Sequence, residues 1–260
     1  MLGAPLKRTL ITMSGAKYDA TTEIIMRRGL ELGADRVLVY DDAWVSEHEF
    51  RKVNAWVFDH PGDRNGKRGH GWYSWKPLLI IDALDHCEHG DVVMYLDADT
   101  VPIANLSVIF DIAARDGAMF FKAQTHSNHR WNKRDCLIAM GQDNPETQFA
   151  PAGVARFMAF RKGGWRQRQL LWEWLAYAVN PTDTTFDPSV YGKEHEEFAE
   201  HRTEQAILTN LCHKHGFKLH RECDESGEES QEDRDLYPQL FRQIRQGACP
   251  NGQGSRFRNV

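Results

Sequence analysis

Asp91-Val92-Val93-Met94-Tyr95-Leu96-Asp97-Ala98-Asp99-Thr100-Val101-Pro102 is the stretch that decides how this chain is read. Its first half is a near-continuous apolar run, the pattern of a strand whose sheet is covered on both faces. Two carboxylates, two residues apart, close that strand. In extended backbone, side chains two apart share a side, so Asp97 and Asp99 are expected to project together while Ala98 turns away. Two unpaired anions at the mouth of a buried strand repel one another and are costly to desolvate, and a hard divalent cation, Mn2+ or Mg2+, resolves both problems. Such an ion keeps positions open for phosphate oxygens and neutralises a departing diphosphate. A bare Asp-x-Asp is equally compatible with an Asp that merely caps the following turn.

Upstream, Thr9 to Met13 is a short apolar run, Thr21 to Leu32 carries helix formers that stop at Gly33, and Arg36 to Tyr40 is a second β-branched run. The order predicts a βαβ unit with parallel strands, and the Asp41-Asp42 pair follows where ligand-binding loops of such sheets lie. Ser46-Glu47-His48-Glu49 has capping-box spacing and predicts a helix start. A polar, glycine-rich loop from Pro61 to Gly71 leads into Trp72-Tyr73-Ser74-Trp75-Lys76-Pro77, where Pro77 suits the first residue of a helix through Leu84. Downstream, Leu106, Ile109, Phe110 and Ala113 recur at helical spacing, Ala118 to Phe121 and Val154 to Phe160 read as strands, and a short helix is expected near Asn132. Trp165 to Ala178 reads as a helix that buries Trp174, Leu175 and Ala178. Arg202 to His215, striped by Leu208, Leu211 and Cys212, reads as another that stops at Gly216. The acidic run Glu222 to Asp235 is expected to be a mobile loop and the tail from Gly247 to Val260 to be poorly ordered. The alternation predicts an α/β fold, one domain over residues 1–260 with a mixed, mainly parallel sheet and helices on both faces.

A chain of 260 residues is long enough to bury a substantial core. Its net charge of -5 supplies no excess of cations for a nucleic-acid backbone, so no nucleic-acid partner is expected. Five cysteines, an odd number spread along the chain, are unlike a disulfide scaffold and favour a reducing compartment. No apolar run approaches the roughly 20 residues that span a bilayer, and no signal peptide is visible, which together predict a cytoplasmic protein without a transmembrane segment.

The pattern Tyr95-Leu96-Asp97-Ala98-Asp99-Thr100-Val101-Pro102, followed by Asn105-Leu106 and Ile109-Phe110-Asp111, resembles the metal-binding segment of GT-A (Rossmann-like) glycosyltransferases, nearest to the family-eight, glycogenin-like and galactosyltransferase-like enzymes. Gly71 to Pro77, Ala152-Gly153-Val154 and Arg202-Thr203-Glu204-Gln205 follow in the family's order, so the resemblance spans residues 8 to 220. It implies transfer of a sugar from a nucleotide-diphosphate donor, a UDP-sugar before others, to a hydroxyl of a glycan or lipid-linked acceptor. By the same resemblance Asp99 is the principal metal ligand, and Asp97 is shared between metal and donor ribose. Thr12, Met13 and Ser14 with Tyr18 match the nucleoside-binding loop, and Arg68 and Lys76 are candidates for donor phosphate or sugar, Lys76 being equally a solvated lysine before a helix. Gly153 matches a glycine that lets backbone approach the sugar, or else is a turn glycine. Glu204 and Gln205 fall at the family's Asp-Gln pair near the reacting carbon. In an inverting enzyme Glu204 is the first choice for general base, whereas a carboxylate at a helix start also balances the helix dipole. The family's late histidine and lysine motif is absent, leaving His220, Arg256 and Arg258 as possible substitutes.

Cys212, His213, His215, His220 and Cys223 crowd together without a paired-ligand zinc spacing. Trp172 and Trp174 are expected to pack within a helix, while Trp72, Tyr73, Trp75 and Trp131 fall in polar loops where rings stack on sugars; Trp75 and Trp131 are the acceptor-binding candidates. A competing enzyme class is a Mg2+-dependent phosphohydrolase of haloacid-dehalogenase type, whose apolar strand and Asp-x-Asp-x-[Thr/Val] motif Asp97 to Val101 match literally. That chemistry needs a second acidic cluster downstream and a nucleophile on the first strand, and neither is evident. A sugar nucleotidyltransferase fits less well, because Ser14-Gly15-Ala16-Lys17 is not a glycine-rich phosphate loop, and a non-catalytic glycan-binding scaffold leaves the Asp-x-Asp unexplained.

Overall fold

The computed structural model describes residues 6–15, 18–60, 70–227 and 238–244. Arg68, Arg256, Arg258, Cys249, most of the loop from Pro61 and the tail from Gly247 lie outside the described residues. The expected βαβ unit is present as β1 (Arg8–Ser14), α1 (Asp19–Glu31) and β2 (Arg36–Asp41), with β1 and β2 parallel from Thr9↔Arg36 to Ser14↔Asp41. A Cβ on Gly29 would stand 3.1 Å from a Leu10 methyl and 3.2 Å from a Val37 methyl, which is how closely α1 lies on the sheet.

Three short helices follow: α2 (Asp42–Glu47), α3 (Glu49–Val53) and α4 (Ala55–Asp59). The capping box expected at Ser46 is not used. Asp41 caps α2 by accepting from Trp44 N, and the His48 ring caps α3 by accepting from Phe50 N, so both orphan amides are satisfied by residues that sequence spacing did not single out. Next come α5 (Trp75–Asp85), β3 (Val92–Leu96), β4 (Thr100–Pro102), α6 (Ser107–Asp116) and β5 (Ala118–Ser127). Pro77 is the third residue of α5, not the first. α7 (Asn128–Trp131) ends where a helix was expected to start, and α8 (Arg134–Ala139) follows Lys133, whose backbone is extended. The chain closes with α9 (Pro145–Gln148), β6 (Pro151–Arg161), α10 (Trp165–Ala178), α11 (Pro181–Thr184), α12 (Thr203–Lys214), β7 (Leu219–Arg221) and β8 (Phe241–Gln243).

Six strands form one sheet in the order β2-β1-β3-β6-β5-β7, and β4 pairs with β8 in a small second sheet. The β1–β2, β1–β3 and β5–β7 pairings are parallel, while β6 runs antiparallel to both neighbours. This is the α/β architecture expected, with a mixed sheet buried on both faces. Along β3, Val93 and Tyr95 enter a core with Leu79 and Ile80 of α5, Trp174 of α10 and Ile207 of α12. Val92, Met94 and Leu96 enter the opposite core with Ile25 of α1 and Phe110 of α6. Because each alternate residue finds apolar cover, the strand reads as an unbroken apolar run. Trp174 and Ala178 are buried as expected and Leu175 partly so, whereas Trp172 stands 49% exposed. No helix among the described residues is long and apolar enough to cross a membrane.

Candidate active site

Parallel β1, β2 and β3 end on one edge of the sheet, where register sets Thr12 beside Leu96 and Ser14 beside Asp41. The Asp-x-Asp pair emerges at that edge. Asp97 and Asp99 are both partly exposed and Ala98 is buried, and the segment is a turn rather than the continued strand expected: Thr100 N donates to Asp97 O at 2.9 Å. Asp97 N donates to Arg156 O across the β3–β6 seam at 2.8 Å, which fixes the start of the turn.

Under Asp97 lies an ion network that the sequence did not suggest. Lys76, near the start of α5, is 3% exposed, and its Nζ lies 3.0 Å from Asp97 Oδ1, 3.0 Å from Glu204 Oε1 and 3.1 Å from Ala155 O. An ammonium has three donors, and all three are spoken for. The placement expected for Lys76, beside a donor phosphate or in solvent, is therefore corrected: it faces inward and bridges the Asp97 carboxylate to the Glu204 carboxylate of α12. Burial by itself lowers the Lys76 pKa, but the Asp97 and Glu204 carboxylates more than reverse this and the net shift is upward. Tyr95 donates its hydroxyl to Asp97 Oδ1 at 2.7 Å, and burial followed by the Asp97 charge pushes its phenol up, keeping it a donor. At Asp97, burial raises the carboxyl, the Lys76 ammonium opposes it and the nearby Asp99 charge adds to it; the net direction is upward.

A second network holds the other carboxylate. Asp99 Oδ2 accepts from Gln243 Nε2 at 3.0 Å, and Gln243 Oε1 accepts from Arg156 at 3.1 Å. The same guanidinium pairs with Glu222 and with Asp224, the latter at 3.0 Å. Glu222 and Asp224 are 5% and 1% exposed, so the start of the acidic run is internal and not the mobile loop expected; residues 228–235 lie outside the described residues. The Arg156 guanidinium offsets part of the cost of burying them, although burial still raises the Asp224 carboxyl.

Glu204 is 4% exposed, with Oε2 accepting from Thr203 Oγ1 at 2.6 Å and Oε1 held by Lys76. Gln205 donates to Gly153 O at 2.9 Å, and Gly153 N donates to Thr209 Oγ1 at 2.9 Å. Gly153 is buried within β6, which corrects its reading as a turn residue. A Cβ there would meet Thr209 Oγ1 at 3.1 Å, so close seating of α12 accounts for the glycine. Backbone strain clusters around the Lys76 bridge. Gly71, Trp72 and Tyr73 run left-handed at φ 60°, 54° and 58°, and Thr203, β-branched, sits at φ 44° beside Glu204. Left-handed non-glycine residues each cost on the order of 1–3 kcal/mol and concentrate at functional sites.

Of the proposed nucleoside-binding residues, Thr12 and Met13 are buried. The Ser14 hydroxyl accepts from Thr22 at 2.9 Å and reaches Asp19 at 3.4 Å, and Tyr18 N donates to Gly15 O at 2.7 Å. A cavity of 430 Å³ opens there, lined among the described residues by Ser14, Asp19, Glu23, Asp41 and Asp42 with others and by no basic one. Of the two acceptor candidates, Trp75 is corrected in setting. Trp75, 7% exposed, belongs to the core, and Trp72, 2% exposed, is likewise buried and meets Phe186 edge-on at 4.7 Å. Trp131 stacks on His126 at 4.8 Å and carries the Arg202 guanidinium 4.4 Å from its centroid. Trp72 and Trp75 lie in or beside polar sequence, but the fold buries them under other segments, whereas Trp131 stays half-buried.

As for the metal, the Asp97–Asp99 turn offers hard oxygen donors on two partly exposed carboxylates whose mutual repulsion is already felt. Asp97 Oδ2 accepts no hydrogen bond among the described residues. Mn2+ and Mg2+ are held by one or two carboxylates together with substrate phosphates, so the pair fits such an ion. The cysteine and histidine run does not gather: Cys212 is buried, His213 bonds to Pro151 O and His215 to Glu173. His220 sits on β7, and its ring centroid is 6.4 Å from that of Phe121. Residues missed in the sequence are Tyr95, Arg156, Glu222, Asp224 and Gln243; a tyrosine and an arginine inside otherwise apolar strands were the available signal.

No protein-family model matches the chain, and no curated protein matches it. Among solved structures it is similar to mouse xyloside xylosyltransferase 1, with a TM-score of 0.46, 14% identity and coverage of 92% of this chain and 98% of that one. It is also similar to the bifunctional glycosyltransferase WbbM, at TM-score 0.46 and 12% identity over 81% of this chain and 38% of that chain. A third is the glycosyltransferase GlyE of Streptococcus pneumoniae TIGR4, at TM-score 0.40 and 15% identity over 92% of this chain and 55% of that one. The identities and TM-scores are low, so the roles assigned below rest on this chain's own residues.

Proposed function

We propose that this chain is a metal-dependent glycosyltransferase, a single GT-A-type domain that moves a hexose-like sugar from a nucleotide diphosphate, UDP before others, to a hydroxyl of a glycan or lipid-linked acceptor. The observation that carries this reading is the Asp97–Asp99 turn at the C-terminal edge of the sheet, with Asp97 held by the buried Lys76 and Asp99 by Gln243, itself bonded to Arg156. The motif order around it supports the same class. Asp97 and Asp99 would hold Mn2+ or Mg2+, which when bound neutralises charge on a diphosphate leaving group. Tyr95 and Lys76 orient Asp97, and Gln243 orients Asp99. Glu204, with both oxygens engaged, acts as a positioning residue for Lys76; service as general base would require release of one oxygen. Gln205 fixes the Gly153 carbonyl and with it the seat of α12. The acidic cavity beside Ser14, Asp41 and Asp42 suits the hydroxyl and N–H donors of a nucleoside better than its phosphates. Four described cysteines are free, which agrees with a cytoplasmic setting.

A phosphohydrolase is not favoured. The downstream acids Glu222 and Asp224 are committed to Arg156, and Asp97 follows the third strand of the chain. The experiment is a thermal-shift panel of nucleoside diphosphates with and without Mn2+, joined to an assay of diphosphate release. A ligand at 100 times its Kd adds about 2.7 kcal/mol, and for a chain of this size that moves the melting point by roughly 5–10 °C. Asp99→Asn is expected to abolish the Mn2+-dependent part. Silence across the panel, or metal-dependent hydrolysis of p-nitrophenyl phosphate, would refute the proposal.

A further inference from the structure

His129 in α7 has a side chain only 4% exposed, and both of its ring nitrogens face acceptors. Nδ1 lies 3.1 Å from Gln148 O, and Nε2 lies 2.9 Å from Glu197 Oε2. A neutral imidazole has one N–H, so it satisfies one of these contacts and sets a lone pair against the other. The conflict is removed either by a second proton or by a metal ion in place of the proton on Nε2. The surroundings favour the ion. The His195 ring lies 4.2 Å from that of His129, and one ligand atom from each of His129, His195 and Glu197 falls within 4.8 Å of the others. Ligands held at about 2.1 Å around a tetrahedral Zn2+ stand roughly 3.5 Å apart, so small side-chain shifts close the set.

The outer contacts agree. A ring N–H given to a backbone carbonyl, as His129 Nδ1 can give to Gln148 O, fixes the tautomer that leaves Nε2 for a metal. His195 Nδ1 accepts only a long 3.2 Å contact from Glu197 N, which is easily surrendered. Two imidazoles with one carboxylate select Zn2+ over Mg2+ or Ca2+. A cavity of 160 Å³ lined by His129, Asn132, Arg134, Gln148 and His195 leaves room for a fourth ligand such as water.

We propose that His129, His195 and Glu197 form a zinc site, separate from the Asp97–Asp99 turn, that fastens the irregular segment between Thr184 and Thr203 onto α7. That segment contains no helix or strand and leads directly into Thr203 and Glu204, and it is also tied to α7 by backbone bonds from Ala199 N and Glu200 N to Arg130 O and from Arg202 N to Trp131 O. The metal braces the backbone that presents Glu204 to Lys76.

The test is Zn2+ titration of the chelator-stripped protein against a chromogenic zinc chelator, with melting temperature as a second readout. Expected are one tightly bound Zn2+ per chain, a rise in melting temperature on binding, and at least tenfold weaker binding in His195→Ala and Glu197→Ala. His195 is half-buried and Glu197 exposed, so these variants are expected to retain the fold, which circular dichroism checks. Asp99→Asn is expected to bind Zn2+ like the wild type. The proposal is overturned if zinc binding is lost in Asp99→Asn, if it survives unchanged in the His195 and Glu197 variants, or if the wild type takes up none.

Discussion

Replacing Lys76 with Met is the sharpest probe of the buried bridge. The side chains are similar in length, so packing is largely preserved, but the substitution leaves Asp97 and Glu204 without the ammonium that stands 3.0 Å from each. Removing one partner of a buried ionic cluster costs about 3–5 kcal/mol. Because the Asp97 side chain is 25% exposed and recovers some water, the lower end is expected, about 3 kcal/mol. For a chain of this length each kcal/mol lowers the melting point by roughly 2–4 °C, giving a fall of about 6–12 °C. The pH dependence is the discriminating part. In the wild type the Lys76 pKa is raised on folding, so its contribution is complete below its unfolded value of about 10.4 and is lost only as pH climbs through the folded one. Between pH 5 and 9 it is flat. In the variant Asp97, whose carboxyl burial already raises in the wild type, loses the ammonium that opposes that rise, so stability falls as pH rises from about 4. Urea denaturation at pH 5, 7 and 9 should therefore show a deficit that grows with pH, and adding Glu204→Gln should relieve part of it. A deficit under about 1 kcal/mol, or one identical at pH 5 and 9, would refute the bridge as a stabilising element.

Two further outcomes test the surroundings of the site. Gly153→Ala puts a Cβ 3.1 Å from Thr209 Oγ1 and should cost about 1–3 kcal/mol by overpacking, with Thr209→Ala restoring much of the loss in a double-mutant cycle; additive losses would contradict direct contact. Asp183 is fully buried with neither carboxylate oxygen hydrogen-bonded, and burial pushes its pKa up to about 7, opposed by Lys133 and reinforced by Asp135. A raised carboxyl loses stability as pH rises from its unfolded value near 4 to about 7, so the stability of Asp183→Asn relative to wild type should rise across that window, and a flat difference in chemical denaturation would exclude it.

Much of the frame was legible because its signals are local. The apolar run before Asp97, the helical stripe through Ile109, Phe110 and Ala113, and the βαβ opening each follow from a period of two or 3.6 residues, which neighbouring residues suffice to specify. The Asp97–Asp99 pair was legible for the same reason: two carboxylates closing a buried strand carry their own electrostatic oddity. Helix caps were less legible. Asp41 and His48 displaced the expected Ser46 because several polar residues there compete for the same amides, and the backbone path chooses between them.

What the sequence could not hold was the identity of partners brought together across the sheet. Lys76 meets Ala155 across 79 residues and Arg156 meets Glu222 across 66, so a lysine that reads as a donor contact or a solvated residue, and acids that read as loop, become interior ions. The sequence by itself determined the α/β class and the place of the two carboxylates, since both depend on short-range pattern. Which charges neutralise them, which tryptophans face inward, and why a glycine stands at 153 were decided by tertiary structure, because desolvation and Coulomb energy depend on which distant segments the folded chain stacks against each group.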